Sequence, residues 1–413
     1  RVVDRVIRRI QHPEKDIELS RVLAQRVLAA AGLDADQVLQ VMPHITTVDE
    51  QVELLDEQIK TLGLSRRADE DLAKSKEELK ERIRPLNYAE WTKVIMENFP
   101  ETLSYAIQCA SVMAQLLIKD TVPFALVMAG VPSSLKTTVL SFFDTCTLAH
   151  KVDVWTPSSF VSHYARKKTE DLETVDLLPR IQNKTLIVPD FGTLFSLPKD
   201  HLIRNLSILT RVLDGEGLTT HSAVHGERGY TGQYNFMLLG STIPLPHKSW
   251  TEMANFGSRL FFSNIESKPM EEEDFIKMLQ GTAYREKLNA CRNATNRFIL
   301  HLTTKHPTPI EWDTSKDDKK ALAAIVQLAA ILSKLRGAVN VAAYTYETEN
   351  GETKEVKEYT MPIIENPIRA AARLYNFSRG HALIQDRTYV TLGDVLPIRD
   401  LSLIHISEPT RPY

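Results

Sequence analysis

The stretch that most constrains the fold is the apolar run Pro123–Ala129, with FALVMA at its core. It ends directly on Gly130-Val131-Pro132-Ser133-Ser134-Leu135-Lys136-Thr137-Thr138 and passes into an apolar helical pattern. An apolar run this short and unbroken suits a strand buried on both faces of a parallel sheet. Similar runs recur at Val152–Trp155, Thr185–Val188 and Tyr234–Leu239, with helix-like segments between them. Strands alternating with helices in this way predict an α/β fold, a parallel sheet with flanking crossover helices.

Chain length permits two or three domains. A formal charge of −3 on 413 residues excludes a uniformly basic nucleic-acid platform, though not a local basic patch. Cys109, Cys146 and Cys291 are far apart and lack Cys/His ligand spacing, so a disulfide framework or zinc site is not expected. No apolar run approaches the roughly 20 residues that span a bilayer, and no signal peptide is visible. The expected location is the cytoplasm.

Four segments are expected. Residues 1–86 are charge-rich and helical, and begin inside a helical pattern, so the natural N-terminus is expected upstream. Residues 87–271 carry the sheet. Over 272–400 helices dominate, with one exception: alternating residues in Val339–Thr360 flank Asn350-Gly351, the signal for a tight hairpin turn. The tail Leu401–Tyr413, LSLIHISEPTRPY, is similar to the translation of a transposase sequencing adapter. It is expected to be a non-biological extension.

Gly130–Thr138 has the placement a phosphate-binding loop needs, between a buried strand and a helix N-terminus. Backbone N–H groups and the helix dipole there favour an anion. Lys136 would reach the β- and γ-phosphates of a nucleotide, and Thr137 would place its hydroxyl on Mg²⁺. One position departs from GxxxxGK[ST]: Leu135 stands where the second glycine belongs, and its Cβ could strain the loop.

Other candidates follow along the chain. The apolar run Thr185–Val188 leads into Pro189-Asp190, and a carboxylate at such a strand end can hold a magnesium water. Asp214 and Glu216, in Asp-Gly-Glu-Gly217, are candidates for activating water, with turn chemistry the competing and favoured reading. Ser241 and Thr242, hydroxyls ending a further apolar strand, could cap that strand. Arg259, before Leu260-Phe261-Phe262, could act as an arginine finger or form a structural ion pair.

In this order the elements resemble the AAA+ superfamily of P-loop ATPases. The segment from Arg211 through Gly229 resembles the hairpin-bearing insertions of minichromosome-maintenance helicases. Asn366-Pro-Ile-Arg369-Ala-Ala-Ala-Arg-Leu and Arg387–Asp394 resemble the lid shared by those helicases and MoxR-type ATPases. The pattern is also similar to ATPases found near replication functions in phage and plasmid genomes. The resemblance covers about Pro123–Ile398. It implies ATP and Mg²⁺ as cofactors, a γ-phosphate sensor at Ser241 or Thr242 with a strand-end cap as the alternative, and a second sensor at Arg369. Phe191 stands where many members carry the glutamate that polarises water.

The expected function is an ATP-hydrolysing motor, a DNA helicase or translocase linked to replication, assembled as a homo-oligomeric ring, with a hexamer expected. ATP would bind between subunits. The hairpin around Thr219–Tyr230 would move on hydrolysis, with His225, Arg228 and Tyr230 contacting single- or double-stranded DNA. A MoxR-like remodeller of proteins and a nucleotide-binding switch with weak hydrolysis are the alternatives.

Overall fold

The computed structural model describes residues 84–154, 156, 159–161, 173–222, 226–245, 249, 252–253, 259–265, 284–337, 341–347, 353–359, 361, 364–399 and 401. All but the last three residues of the expected N-terminal helical region lie outside these, as do His225, Asn350, Gly351 and residues 402–413 of the tail. The chain divides into two units, one of residues 1–86 with 296–298 and one of 87–295 with 299–413. In the first, Leu86 N donates to the Arg297 carbonyl at 3.2 Å and Arg297 Nε to the Arg84 carbonyl at 2.6 Å.

The second unit is built on a parallel five-stranded sheet. Its strands are β1 (Phe124–Ala129), β2 (Ala149–Lys151), β3 (Thr185–Val188), β6 (Met237–Thr242) and β7 (Leu260–Asn264), in the order β2-β3-β6-β1-β7. Every residue of β1, β3 and β6 is buried, which accounts for the apolar runs Phe124–Ala129, Leu186–Val188 and Met237–Leu239 within them. Leaving β1, the chain crosses to the far edge at β2, returns through β3 and β6, and then places β7 on the other side of β1. The strand order therefore reverses at β1. A crevice outside the carboxyl ends of the strands at such a switch point is where open α/β sheets bind ligands.

Helices α1 (Tyr88–Asn98) and α2 (Leu103–Ala114) precede the sheet. The start of α1 is fixed by reciprocal bonds between Asn87 and Glu90, at 3.0 and 2.9 Å. Helix α3 (Lys136–Phe143) follows β1, and α4 (Leu177–Ile181), α5 (Gly192–Phe195) and α6 (Lys199–Val212) surround β3. The apolar faces of α4, α5 and α6 meet the sheet in one core that includes Leu178, Leu186, Phe191, Leu206, Phe236 and Leu238.

An antiparallel hairpin, β4 (Gly217–Ser222) and β5 (Gly226–Thr231), stands between α6 and β6. Beyond β7 the helices dominate: α7 (Tyr284–Lys305), α8 (Lys319–Leu335), α9 (Ile368–Ile384) and the single turn α10 (Leu396–Arg399). The expected second hairpin is present as β8 (Val341–Glu347) paired with β9 (Thr353–Tyr359).

Two strand expectations are corrected. The run Val152–Trp155 is not the second strand; β2 lies three residues earlier, and Trp155 is outside the described residues. As an edge strand, β2 is only partly buried and has no need of an apolar sequence. Strand β7 follows Arg259 where no strand is expected from sequence. Its Phe261 stacks on Phe124 of β1, ring centroids 4.7 Å apart.

Candidate functional site

At the carboxyl end of β1, Gly130 N donates to the Thr242 carbonyl at 3.2 Å, and Ile265 N donates to the Ala129 carbonyl at 2.7 Å. These bonds pin the loop between β6 and β7. A Cβ on Gly130 would lie 2.8 Å from Ser134 Oγ and 2.9 Å from the Ile265 carbonyl, so only glycine allows the chain to fold back this tightly. The loop then turns through two left-handed residues, Ser133 (φ 65°) and Leu135 (φ 63°). Val131, Pro132 and Ser133 are exposed, Ser134 is buried and Leu135 is half-buried. Leucine thus occupies a glycine-type conformation, which costs a side-chain-bearing residue roughly 1–2 kcal/mol.

Leu135 also caps α3, its carbonyl accepting from Val139 N at 2.9 Å. The first-turn amides of Lys136, Thr137 and Thr138 have no acceptor within the helix and point past its N-terminus. The Lys136 amine folds back over the loop, donating to the carbonyls of Gly130 (2.7 Å) and Val131 (2.6 Å) and to Ser134 Oγ (3.1 Å). Burial lowers its pKa from the usual lysine value. The Thr137 side chain is exposed, and the Thr138 hydroxyl bonds the Tyr284 hydroxyl at 2.9 Å.

The neighbouring strand ends complete the crevice. Beyond β3, Asp190 is exposed and its Oδ1 accepts from Gly192 N at 2.7 Å, fixing the carboxylate at the start of α5. Ser241 Oγ donates to the Pro189 carbonyl at 2.5 Å and is thereby committed to tying β6 to β3. Thr242, the next residue, is different. Its Oγ1 is buried without a hydrogen-bond partner among the described residues. Asp190 Oδ1 and Thr242 Oγ1 lie 2.9 and 3.9 Å from where a Gly192 Cβ would sit, so the two oxygens face one small space. A buried orphan hydroxyl beside a carboxylate is costly unless a further polar group is brought to it.

Phe191 is fully buried, packed in the core against Phe195 at 6.1 Å. A Cβ on Gly240 would come 2.6 Å from its ring, so the absence of a side chain at Gly240 makes room for an aromatic residue here. Among the described residues ending these strands, the carboxylates are Asp190 and, beyond the edge strand β2, an exposed Asp153 beside Lys151 at 3.2 Å.

The sequence candidates separate into two groups. Lys136, Thr137, Asp190, Ser241 and Thr242 gather at the carboxyl ends of the strands, while Arg259, Asp214 and Arg369 gather at the amino ends. Arg259 immediately precedes β7, whose Leu260 pairs with Ala125 of β1. Its guanidinium binds Asp214 in bidentate fashion, Nε to Oδ1 and Nη2 to Oδ2, both at 2.9 Å. The ion-pair geometry is therefore present, and Asp214 is not beside the phosphate loop. Glu216 is exposed and pairs with Arg211 at 2.9 Å. Arg369 is exposed, 3.8 Å from Glu365.

One turn later on α9, Arg373 is buried. It donates to the carbonyls of Pro123 (2.5 Å) and Leu213 (2.8 Å) and lies 3.7 Å from Asp214. Burial brings its pKa down to about 10, against the opposing pull of Asp214. Burial alone would raise the Asp214 carboxyl, but the Arg259 hydrogen bonds and the charges of Arg259, Arg373 and Arg369 hold it below its ordinary value. Sequence reading singled out Arg369 and passed over Arg373. The four-residue spacing was the available signal, since it puts both on one helix face.

On the hairpin, Leu218, Thr220, Arg228 and Tyr230 share one face by register, and Tyr230 donates to Asp176 Oδ2 at 2.8 Å. That face is the more buried one. The exposed face carries Thr219, His221 and Glu227. All three cysteines are buried free thiols, and burial raises the pKa of each, Cys291 to about 12. Among the described residues no His, Cys, Asp and Glu cluster could hold a metal by itself, and no helix is long and apolar enough to cross a membrane.

No family model and no curated relative matches the chain. Among solved structures it is similar to a full-length MCM homolog from Methanopyrus kandleri, at 13% identity and a TM-score of 0.38, covering 75% of this chain and 59% of that one. It is also similar to the NrS-1 C-terminal region in its apo form, at 11% identity and TM-score 0.26, covering 61% of this chain and 56% of that one. A third likeness is to JCV helicase with a small molecule bound, at 14% identity and TM-score 0.25, covering 63% and 70%. The chain thus spans under two thirds of the length of the first two.

Proposed function

We propose that the chain binds ATP with Mg²⁺ at Gly130–Thr138 and hydrolyses it at the junction between two copies of itself. One observation carries this reading. At the switch point of the sheet a glycine-tight loop, a helix N-terminus, a lysine amine, a carboxylate and an orphan hydroxyl lie at the carboxyl ends of the adjacent strands β1, β3 and β6. Amides and an ammonium there suit polyphosphate, and the residues present fit the group: Thr137 and Asp190 would hold Mg²⁺, and Thr242 has an unsatisfied hydroxyl to offer a terminal phosphate. Bound Mg²⁺ supplies neutralisation of charge on the β- and γ-phosphates. Lys136 now bonds three loop oxygens, and an anionic phosphate oxygen is a stronger acceptor for the same amine.

The arginines are the reason for assigning two copies. The six residues of β1 span about 20 Å at ~3.3 Å each, and they separate Arg259, Arg369 and Arg373 from the loop of their own chain. If these guanidinia meet a nucleotide, it is a neighbour's. A homo-oligomeric ring, proposed as a hexamer, satisfies that requirement for every subunit. In this reading residues 87–271 form the ATPase core and 272–400 its lid.

The motor's track is proposed to be DNA, on the resemblance of Arg211–Gly229 to helicase hairpins. With His225 outside the described residues and Tyr230 bonded to Asp176, the exposed His221 joins the candidates for backbone contact. A second reading, a switch that binds ATP with little turnover, is favoured by the buried phenyl ring of Phe191 beside Asp190. ATP hydrolysis measured on the whole chain, with Mg²⁺ and with or without single-stranded DNA, separates the readings. DNA-stimulated turnover supports the motor, and turnover indifferent to DNA supports a protein remodeller. Tight ATP binding without turnover selects the switch.

A further inference from the structure

We propose that Asp214 is the positioning residue of Arg259, and that its contact with Arg373 makes the seat of α9 and the direction of the Arg259 guanidinium one coupled unit. The proposal rests on the reading that Arg259 serves a nucleotide held by another copy of the chain. Nothing in that reading requires a carboxylate here, and the geometry supplies one.

Asp214 is held by a firm turn. Its N donates to the Arg211 carbonyl at 3.1 Å, Gly215 N donates to the Val212 carbonyl at 3.1 Å, and Tyr234 N donates to the Gly215 carbonyl at 2.8 Å. Arg373 clamps the same turn through the Leu213 carbonyl and anchors it to Pro123 at the start of β1. The carboxylate is therefore fixed to the sheet and to α9 together. Both of its oxygens are engaged by Arg259, through Nε and Nη2.

A long arginine side chain samples many rotamers, and a planar bidentate contact selects a narrow set of them. Placement matters more than mere presence for a group that stabilises a transition state, because a shift of about 1 Å can cost on the order of a hundredfold in rate. Arg259 therefore presents its guanidinium in the direction Asp214 dictates. Because Arg373 holds the same turn, the seat of α9 on the sheet and the direction of the Arg259 guanidinium are coupled through Asp214.

The test is ATPase kinetics on the full chain carrying Asp214→Asn, which keeps shape but removes charge and one acceptor pairing, and Asp214→Glu, which keeps charge but moves it by a methylene. Both should lower kcat roughly tenfold to a hundredfold with KM for ATP within about twofold of the parent. Mixing Asp214→Asn with Lys136→Ala should restore turnover, because the lysine variant lends an intact Arg259. Mixing it with Arg259→Ala should not.

If Arg259→Ala is inactive while both Asp214 variants fold and keep the parental kcat, the positioning role is wrong and the trans reading survives. If Arg259→Ala itself hydrolyses ATP normally, the underlying reading fails instead. A purely structural Asp214 predicts a lowered melting temperature with kcat of the folded fraction unchanged, and that outcome overturns the proposal. Should the Asn variant not fold, the Glu variant carries the same comparison.

Discussion

Leu135 shows at a single residue how far sequence reading reached. The pattern marks it as out of place in a phosphate loop, and the structure gives the physical content: a leucine held at φ 63°. Leu135→Gly should relieve about 1 kcal/mol of backbone strain and leave ATP affinity equal or better. Thermal melts and nucleotide titration check both parts, and a large loss of affinity would show that the leucine side chain packs as part of the pocket. Lys136→Ala is expected to weaken ATP binding roughly a hundredfold or more, since it removes the ammonium proposed to meet the phosphates. Unchanged affinity in a folded Lys136→Ala protein would remove the loop assignment. Other residues were legible only in part. The hydroxyls of Ser241 and Thr242 are equivalent in sequence, and only the Pro189 contact separates the bonded one from the orphan. The pairing of Arg259 with Asp214 joins positions 45 apart in the chain, so no local pattern announces it. Phe191 was visible as a departure, but the space that Gly240 leaves for its ring was not.

Among the elements, β3 was readable from Leu186–Val188 and β6 in part from Met237–Leu239, because strands buried on both faces are largely apolar. The second half of β6, Gly240-Ser241-Thr242, carried no such signal. The edge strand β2, Ala-His-Lys, had no such signature. The hairpin β8–β9 was legible from alternation around Asn350-Gly351. How α9 sits on the core was not, and it depends on close helix contact. A Cβ at Gly380 would fall 2.1 Å from the Ser111 carbonyl of α2, so Gly380→Ala must push the two helices apart. The expected cost is about 1–3 kcal/mol, read from urea unfolding. The far end of α9 is fixed by Asp394, fully buried, which accepts from Arg387 (2.8 Å twice), His381 Nδ1 (2.7 Å), Thr391 N (2.7 Å) and Thr391 Oγ1 (2.9 Å). Burial alone would raise this carboxyl, but those bonds, led by Arg387, hold it far below the usual range. A folded-state pKa below the unfolded one means that the stabilisation is present above about pH 4, the ordinary aspartate value, and is lost as pH falls further. Asp394→Asn should therefore cost about 3 kcal/mol near neutrality and flatten the loss of stability below about pH 4. An acid limb as steep as the parent's would mean that other carboxylates govern it.

At the scale of the whole molecule, the sheet separates two chemistries by the length of a strand. Lys136, Thr137, Asp190, Ser241 and Thr242, proposed to serve a nucleotide, lie at the carboxyl ends, and Arg259, Arg369 and Arg373 lie at the amino ends. One chain cannot bring the two together without dismantling β1, so under the proposed function these arginines would meet a nucleotide held by a second copy. On that argument Arg259→Ala should bind ATP almost normally, because its own loop is intact, yet lose on the order of a thousandfold in hydrolysis. Lys136→Ala should lose binding at its own loop while still presenting Arg259 to a neighbour. Either variant alone is then inactive. A mixture that exchanges subunits creates junctions in which the loop of the Arg259→Ala chain faces the arginine of the Lys136→Ala chain, and part of the turnover should return. Each protein titrated against a fixed amount of the other should give a maximum at intermediate ratios rather than a monotonic change. A structural ion pair predicts a different pattern: Arg259→Ala melts at lower temperature, its folded fraction hydrolyses ATP as the parent does, and mixing changes nothing. No rescue, in a preparation shown by native mass measurement to contain mixed oligomers, would eliminate the arrangement in trans. Arg259 and Arg373, which share Asp214, would then be parts of the scaffold that seats α9.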